Sequence, residues 1–463
     1  MLLKPPFDIS GDLDTPVSAF MKLGALNPRF LLESVEGGER LARYSFIGFG
    51  DCLELRVDQN GIAIGKQIEP LPASGAELLQ ALRRGLLRAP RPLPQMPGVP
   101  LAGGLVGFAS YDVVRFFERL PVHRSNAKPV PAMHYVAPQS LLVFDHLTRG
   151  IALLHAGSDE ERRSLRTEII RALRGALPHA VRTGRYEAPT AAFSRADFMA
   201  AVRRTQEYIA SGDVYQLVLS VRFGGRHELD PFQAYRALRL INPSPYMFYC
   251  AMGDVTVVGS SPEALVKLTG RHAQLRPIAG TRARADDAAL DAERETQLRA
   301  DPKENAEHIM LVDLARNDLG RVACAGTVHV DPYRSIERYS HVMHMVSGVH
   351  GELAPACDAF DLFAAAFPAG TLVGAPKVRA MQIIDELEPA NRGLYGGTVG
   401  YFGAQGDMDQ AITIRTLVFQ GDEYSYQAGA GIVADSNAAS EHDEVLAKSY
   451  ALVRALELAQ GGL

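Results

Sequence analysis

The sequence predicts a protein of mixed helix and strand. Three observations predict it. Short apolar runs of strand length recur at residues 53–57, 141–144, 217–221 and 255–258. They alternate with helix-like stretches at 75–87, 160–177 and 194–209. The composition is that of an ordinary globular chain, 47% hydrophobic and 22% charged, which excludes disorder as the main state. At 463 residues the chain is about three times the ~150-residue unit of one domain, ample for a large core.

Along the chain the organisation reads as two blocks and a joint. The first block covers 1–155. Its helix-like stretch at 75–87 is followed by Pro90, Pro92, Pro94, Pro97 and Pro100, which cannot continue a helix and predict an extended connection. The joint, 156–192, is charged and helix-prone at first, then loses apolar periodicity up to Thr190. The second block covers 193–463. Ser194 suits an N-cap, with Asp197 three residues on, and that helix should run through Ile209 and stop near Gly212. No repeat of 20–50 residues occurs.

Several function classes are disfavoured. Lys plus Arg is 48 and Asp plus Glu is 53, so the net charge is 48 − 53 = −5, unlike a dedicated nucleic-acid binder. The first ten residues lack the apolar core of a signal peptide, and no run of 18 apolar residues suits a membrane span. Cys52, Cys250, Cys324 and Cys357 form no Cys-x-x-Cys pair, which speaks against a zinc ribbon and fits a reducing cytoplasm. Tryptophan is absent, against 16 Tyr and 19 Phe.

Three motifs mislead. Residues 429–434 match G-x-G-x-x-A, but too little chain follows for the βαβ unit of a dinucleotide site. Residues 370–377 look like a phosphate loop, with the wrong spacing and with Pro376 before Lys377. His341 and His344 have no further ligand spacing for zinc.

Carboxylates at helical spacing stand out instead. Asp301 can cap a helix, Pro302 suits its first position and Gly320 its end. Glu304 and Glu307 then share one face, although Glu304 also falls at the capping-box position. Glu441, Glu444 and Lys448 share a face of another helix, where an exposed Glu444–Lys448 pair is the simpler alternative. Hard oxygen ligands from two such helices suit Mg²⁺ with positions open for an anion. Loops carrying Gly280, Thr281 and Arg282, Gly370 and Thr371, and Arg415 and Thr416 offer backbone N–H groups and guanidinium forks to carboxylates.

Longer motifs follow one another in the second block: 213–216, 259–263, 277–281, 306–308, 313–320, 367–377 and 429–435. In the first block 31–34, 43–48 and 103–107 belong to the same set. On these the chain resembles the chorismate-utilising enzymes, most closely the large-subunit type of anthranilate synthase. The resemblance implies the α+β class, with a large antiparallel β-sandwich wrapped by helices, a regulatory first block, a linker and a chorismate-binding second block. It implies that Glu307 and Glu444 ligate Mg²⁺, with Glu304 and Glu441 reaching the metal or its waters. Gly280, Thr281, Tyr395, Arg415, Gly429, Ala430, Gly431 and Lys448 would hold substrate. Glu263 would protonate the departing ring hydroxyl, and His344 would assist loss of pyruvate.

Within the resemblance, Gln216 stands where water-using relatives carry Lys, and Gln is no base. Ala279 stands where aminodeoxychorismate synthases typically carry a nucleophilic Lys. Thr371 and 242–248 also resemble the anthranilate enzymes. The expected reaction joins chorismate and ammonia to give anthranilate and pyruvate. Aminodeoxychorismate or aminodeoxyisochorismate synthesis, and a silent scaffold subunit, are the alternatives. No cysteine sits in a Gly-x-Cys-x-Gly setting, so a separate glutamine amidotransferase subunit would supply the ammonia. Leu32, Glu33 and Ser34 with Pro245, Tyr246 and Met247 match the family's feedback site for L-tryptophan, while the basic positions from Arg40 to Arg43 vary.

Overall fold

A computed structural model describes residues 5–34, 43–121, 129–177, 184–339 and 342–463. Arg40 and His341 lie outside the described residues. Twenty-one strands of the described residues join one curled antiparallel network, and helices cover it, which is the predicted α+β arrangement. Strands from early and late in the chain are neighbours. Phe30–Glu33 lies between Tyr44–Asp58 and Tyr246–Met252. Gly104–Ala109 lies between Met133–Asp145 and Thr398–Gly403.

The near-continuous apolar run in Met133–Asp145 has a simple cause. Met133, Tyr135, Leu142 and Phe144 enter one core, while Val136, Leu141 and Val143 enter a second. A strand buried on both faces has no polar side to alternate with. A separate three-stranded sheet has Val342–Val346 at its centre, flanked by Ile278–Ala283 and Ser335–Arg338.

The capping signals place the helices well. Ser194 caps Arg195–Ala210 by accepting from the Asp197 N–H, and Gly212 follows with φ of 81°. Asp301 caps Pro302–Gly320 through the N–H groups of Lys303 and Glu304. The helix-prone part of the joint forms Asp159–Leu173 and buries Ile169 and Leu173. Beyond it, Thr190–Ala191 adds to the edge of Gln216–Arg226. The stretch from Pro90 to Pro100 holds no helix, and Leu93 bridges to His155.

The misleading motifs resolve as expected. Residues 429–432 finish an antiparallel strand, Glu423–Ile432, paired with Gln216–Arg226. Lys377 opens a helix, but its ammonium is clasped by both oxygens of Asp318 at 3.0 and 2.9 Å. Among the described residues no helix is long and apolar enough to cross a membrane.

One buried ion pair ties the layers together. Arg392 and Glu388 have side chains 1% and 4% exposed. Arg392 bonds both Glu388 oxygens and also the carbonyls of Leu372 and Val218. Glu388 in turn accepts from the N–H and hydroxyl of Ser220. The pair therefore fixes the turn after Thr371 against the strand that begins at Gln216. Arg392→Met strands a buried carboxylate and should cost about 3–5 kcal/mol in denaturant unfolding. A loss below about 1 kcal/mol would contradict this role.

Candidate active site

Glu263 follows the strand Val255–Ser261 and is half-buried. Its carbonyl accepts from the N–H of Ile412, which fixes the backbone, and its carboxyl oxygen accepts from the Thr371 hydroxyl at 3.0 Å. Burial pushes its pKa up to about 7, against the Thr371 bond and the charges of Lys448 and Arg415 that pull it down. Glu263 is thus a carboxylic acid that holds its proton near neutrality. A cavity of about 380 Å³ beside it is lined by Thr371, Arg276, Pro277, Leu311, Asp318 and Ile412.

His344 occupies the central strand of the small sheet, with Thr281 opposite on one side and Glu337 on the other. Its Nδ1 lies 2.9 Å from the Thr281 hydroxyl. A register shift between Ala279 and Thr281 leaves Gly280 out of the ladder with φ of 74°, and its backbone bonds His344. Burial lowers the His344 pKa and Arg415 adds to this, while the Gly280 bond and Glu337 oppose it. A neutral imidazole can accept a proton. The charge of Arg415 reaches both Glu263 and His344. It sits at φ of 50° in the turn before Thr416–Gln420, its carbonyl held by the Ser260 N–H.

Gln216, Gly429 and Gly431 form another wall. The Gln216 amide donates to Glu307 Oε1 at 3.2 Å. A Cβ at Gly431 would lie 2.7 Å from that amide nitrogen, and one at Gly429 would lie 2.6 Å from the Tyr395 hydroxyl. The Leu219 carbonyl, 2.7 Å from the same position, also closes in on Gly429, which is required there, whereas at Gly431 only the end of the Gln216 side chain would have to move. Ala430 between them points into the core. Lys448 donates to the Gly429 carbonyl at 3.0 Å and pairs with Glu444 at 2.7 Å, so the simple i,i+4 pair does form, at the site's edge.

The four glutamates separate by environment. Glu304 is a correction to the capping-box alternative. Asp301 caps the helix without a return bond from Glu304, whose carboxylate pairs instead with Arg282 at 3.0 Å. Arg282 also holds Asp301, so it competes for the side chain that the cap geometry would otherwise use. Glu307 meets the uncharged Gln216. Glu441 has its pKa raised by burial and by the charge of Glu444, while the Ser436 bond and Lys303 and Lys448 oppose this. Lys303 acting on Glu441 brings the N-terminal ends of Pro302–Gly320 and Ala438–Gly461 into one neighbourhood. Among the described residues no three acidic, histidine or cysteine side chains already converge as cation ligands. The chemistry of the set still fits Mg²⁺: hard carboxylate oxygens, one pair of which repel.

The six residues matched to a feedback site lie on and beside one strand pair, and not all on one face. Phe30–Glu33 pairs with Tyr246–Met252, placing Glu33 opposite Met247 and Leu32 opposite Phe248. Glu33 is buried and bound by Tyr235 and Arg239. Alternation turns Leu32 to the other face. Tyr246 donates to Asp409 at 3.1 Å. Ser34 and Pro245 flank the paired segment and are partly exposed.

The motifs did not single out Arg276, Glu337 or Tyr339. Alternation along Ser335–Arg338 is the only signal that puts Glu337 on the face of His344.

The fold and this constellation of a buried acid, a neutral histidine and a glycine-lined strand define a chorismate-binding enzyme. The profile of that family, described as chorismate binding enzyme, matches residues 27–454, and the chain belongs to it. The chain is 44% identical to anthranilate synthase component 1 of Thermus thermophilus over 98% of this chain and 97% of that one. It is 43% identical to the component 1 of Pseudomonas aeruginosa, over 98% and 95%. The crystal structure of anthranilate synthase component I from Streptococcus pneumoniae superposes with a TM-score of 0.81 at 32% identity, covering 96% of this chain and 98% of that one. The menaquinone-specific isochorismate synthase of Escherichia coli shares the fold, with a TM-score of 0.71 at 19% identity over 96% and 91%.

Proposed function

We propose that this chain is a large subunit of anthranilate synthase type, converting chorismate and ammonia into anthranilate, pyruvate and water. The observation that carries this is one site that joins Glu263, a carboxyl whose pKa burial lifts to about 7, with a non-basic amide, Gln216. The near-full-length relatives named anthranilate synthase component 1 support it.

Arg415, Lys448 and the N–H groups along 429–431 bind the substrate carboxylates, and Tyr395 packs behind Gly429. Glu263 gives its proton to the ring hydroxyl, which leaves as water as the ring double bond shifts. Ammonia bonds to the ring carbon beside the carboxylate-bearing one, and Gln216 leaves water unactivated there. Thr371 holds the Glu263 carboxyl in place. In the second half-reaction His344 takes the proton from the aminated carbon. The ring becomes aromatic, the bond to the enolpyruvyl oxygen breaks, and the departing enolate regains a proton at its methylene to become pyruvate. Glu307 and Glu444, with Glu304 and Glu441 beside them, are the residues that would hold Mg²⁺. When bound, the ion neutralises the ring carboxylate of the substrate.

The ammonia comes from a separate glutamine amidotransferase subunit, the pocket at Leu32–Ser34 and Pro245–Met247 takes L-tryptophan as inhibitor, and the enzyme works in the cytoplasm. The nitrogen source gives a direct test. Purified chain with chorismate and Mg²⁺ should turn over with ammonium and stay silent with glutamine. Turnover with glutamine alone would contradict a separate subunit. Tryptophan should also enhance indole fluorescence changes on titration, since the chain has no tryptophan of its own. An indole signal unaffected by Ser34→Ala would count against that pocket.

A further inference from the structure

The polar groups behind His344 form a second layer that the reaction above does not use. Glu337 lies directly opposite His344 in the antiparallel pair. Its two oxygens are divided: Arg276 bonds one, and the Tyr339 hydroxyl donates to the other at 2.9 Å. The Tyr339 ring stands edge-on to the imidazole, with centroids 5.6 Å apart. Arg276 also lines the cavity beside Glu263 and stands two residues before the bulged strand that carries Gly280 and Thr281. Glu337 and Tyr339 therefore meet one ring, and Arg276 reaches it through Glu337.

We propose that Arg276 and Glu337, with Tyr339 between them and the ring, are positioning residues that hold His344 neutral and oriented for the loss of pyruvate. The proposal rests on the functional reading above. The physical case is one of charge cancellation. A carboxylate facing an imidazole favours the imidazolium, which cannot take a proton from the aminated carbon. Arg276 neutralises that carboxylate without removing it. Glu337 can then anchor Tyr339, and the Tyr339 ring fixes the tilt of the imidazole.

Other charged or polar groups face the ring as well. Thr281 and the Gly280 backbone approach from Ile278–Ala283, and Arg415 from the turn before Thr416–Gln420. Arg282 on the same strand is spent on Asp301 and Glu304. Met343 and Met345 turn the opposite face of the strand into an apolar cluster with Leu298, so the helix Ala288–Ala300 sends no charge to the ring.

The two partners should pull in opposite directions. Arg276→Gln exposes the Glu337 charge, so the acid limb of pyruvate formation should move to higher pH and the rate at acid pH should fall several-fold. Glu337→Gln removes that charge, so the limb should move to lower pH. Tyr339→Phe keeps the ring and loses the hydroxyl, and should lower kcat for pyruvate release with KM for chorismate nearly unchanged. A merely structural role would move both limbs the same way or neither.

The experiment follows two readouts in parallel. Titration of the His344 ring by NMR, assigned through His344→Gln, is compared among the native chain, Arg276→Gln and Glu337→Gln, with chorismate-dependent release of pyruvate measured beside it. Opposite displacements in both readouts support the proposal. Equal or absent displacement of the ring titration overturns it, as does displacement without effect on pyruvate release. A native chain that releases no pyruvate defeats the functional reading instead, and the NMR titration still decides whether the pair governs the ring.

Discussion

Glu263→Gln is expected to lower kcat by about 10²–10⁴-fold with chorismate binding largely kept, because the amide fills the same space and cannot donate the proton. The structure gives the reason for so large an effect. The carboxyl is enclosed, it accepts from Thr371 at 3.0 Å, and burial lifts its pKa to about 7. Its task needs the protonated form, so the step it serves should be unimpaired below that pKa and slow as pH rises through about 7. Thr371→Val removes the bond that favours the carboxylate, so the falling limb should move to higher pH. A Glu263→Gln variant with near-native kcat, measured by pyruvate release, would show that another group supplies the proton.

Glu307→Gln should abolish Mg²⁺-dependent turnover while leaving the fold intact. Glu307 is partly exposed and its protein contact is the Gln216 amide, so removing its charge opens no cavity and strands no buried ion. Without that charge the site loses a hard oxygen donor. Thermal unfolding should stay near the native value, and added Mg²⁺ should fail to restore activity. Retained turnover at ordinary Mg²⁺ concentrations would remove Glu307 from the ligand set. The same measurement on Glu304→Gln is informative, because Glu304 is tied to Arg282 in the free chain. A milder loss there than at Glu307 is the expected order.

Much of this was legible in the sequence because the signals were local. Asp301, Pro302 and Gly320 bracket a helix that begins and ends where they stand. Ser194 and Gly212 do the same for another. The strand runs at 141–144 and 217–221 were visible because both faces of those strands are buried. Motif order carried the fold class and pointed to the candidate site, including Gly429, where the Tyr395 hydroxyl and the Leu219 carbonyl leave no room for a side chain.

What stayed hidden depends on contacts distant in sequence. Spacing places Glu304 at a capping position, and nothing local reveals that Arg282 on another strand claims it. Arg392 and Glu388 read as one more i,i+4 pair until Leu372, Val218 and Ser220 are seen around them. Glu337 and His344 become neighbours only through a hairpin register, and the Glu337 carboxylate is bonded by Arg276 from a third segment. A sequence reports the charge of each residue, whereas burial and cancellation arise from packing.

The most direct measurement of the central claim is product stoichiometry. Purified chain is supplied with chorismate, ammonium and Mg²⁺, and anthranilate fluorescence and pyruvate are followed in the same reaction. Equal amounts of anthranilate and pyruvate are expected, with His344→Ala accumulating an aminated product and little pyruvate. An aminated product without pyruvate from the native chain would contradict the account.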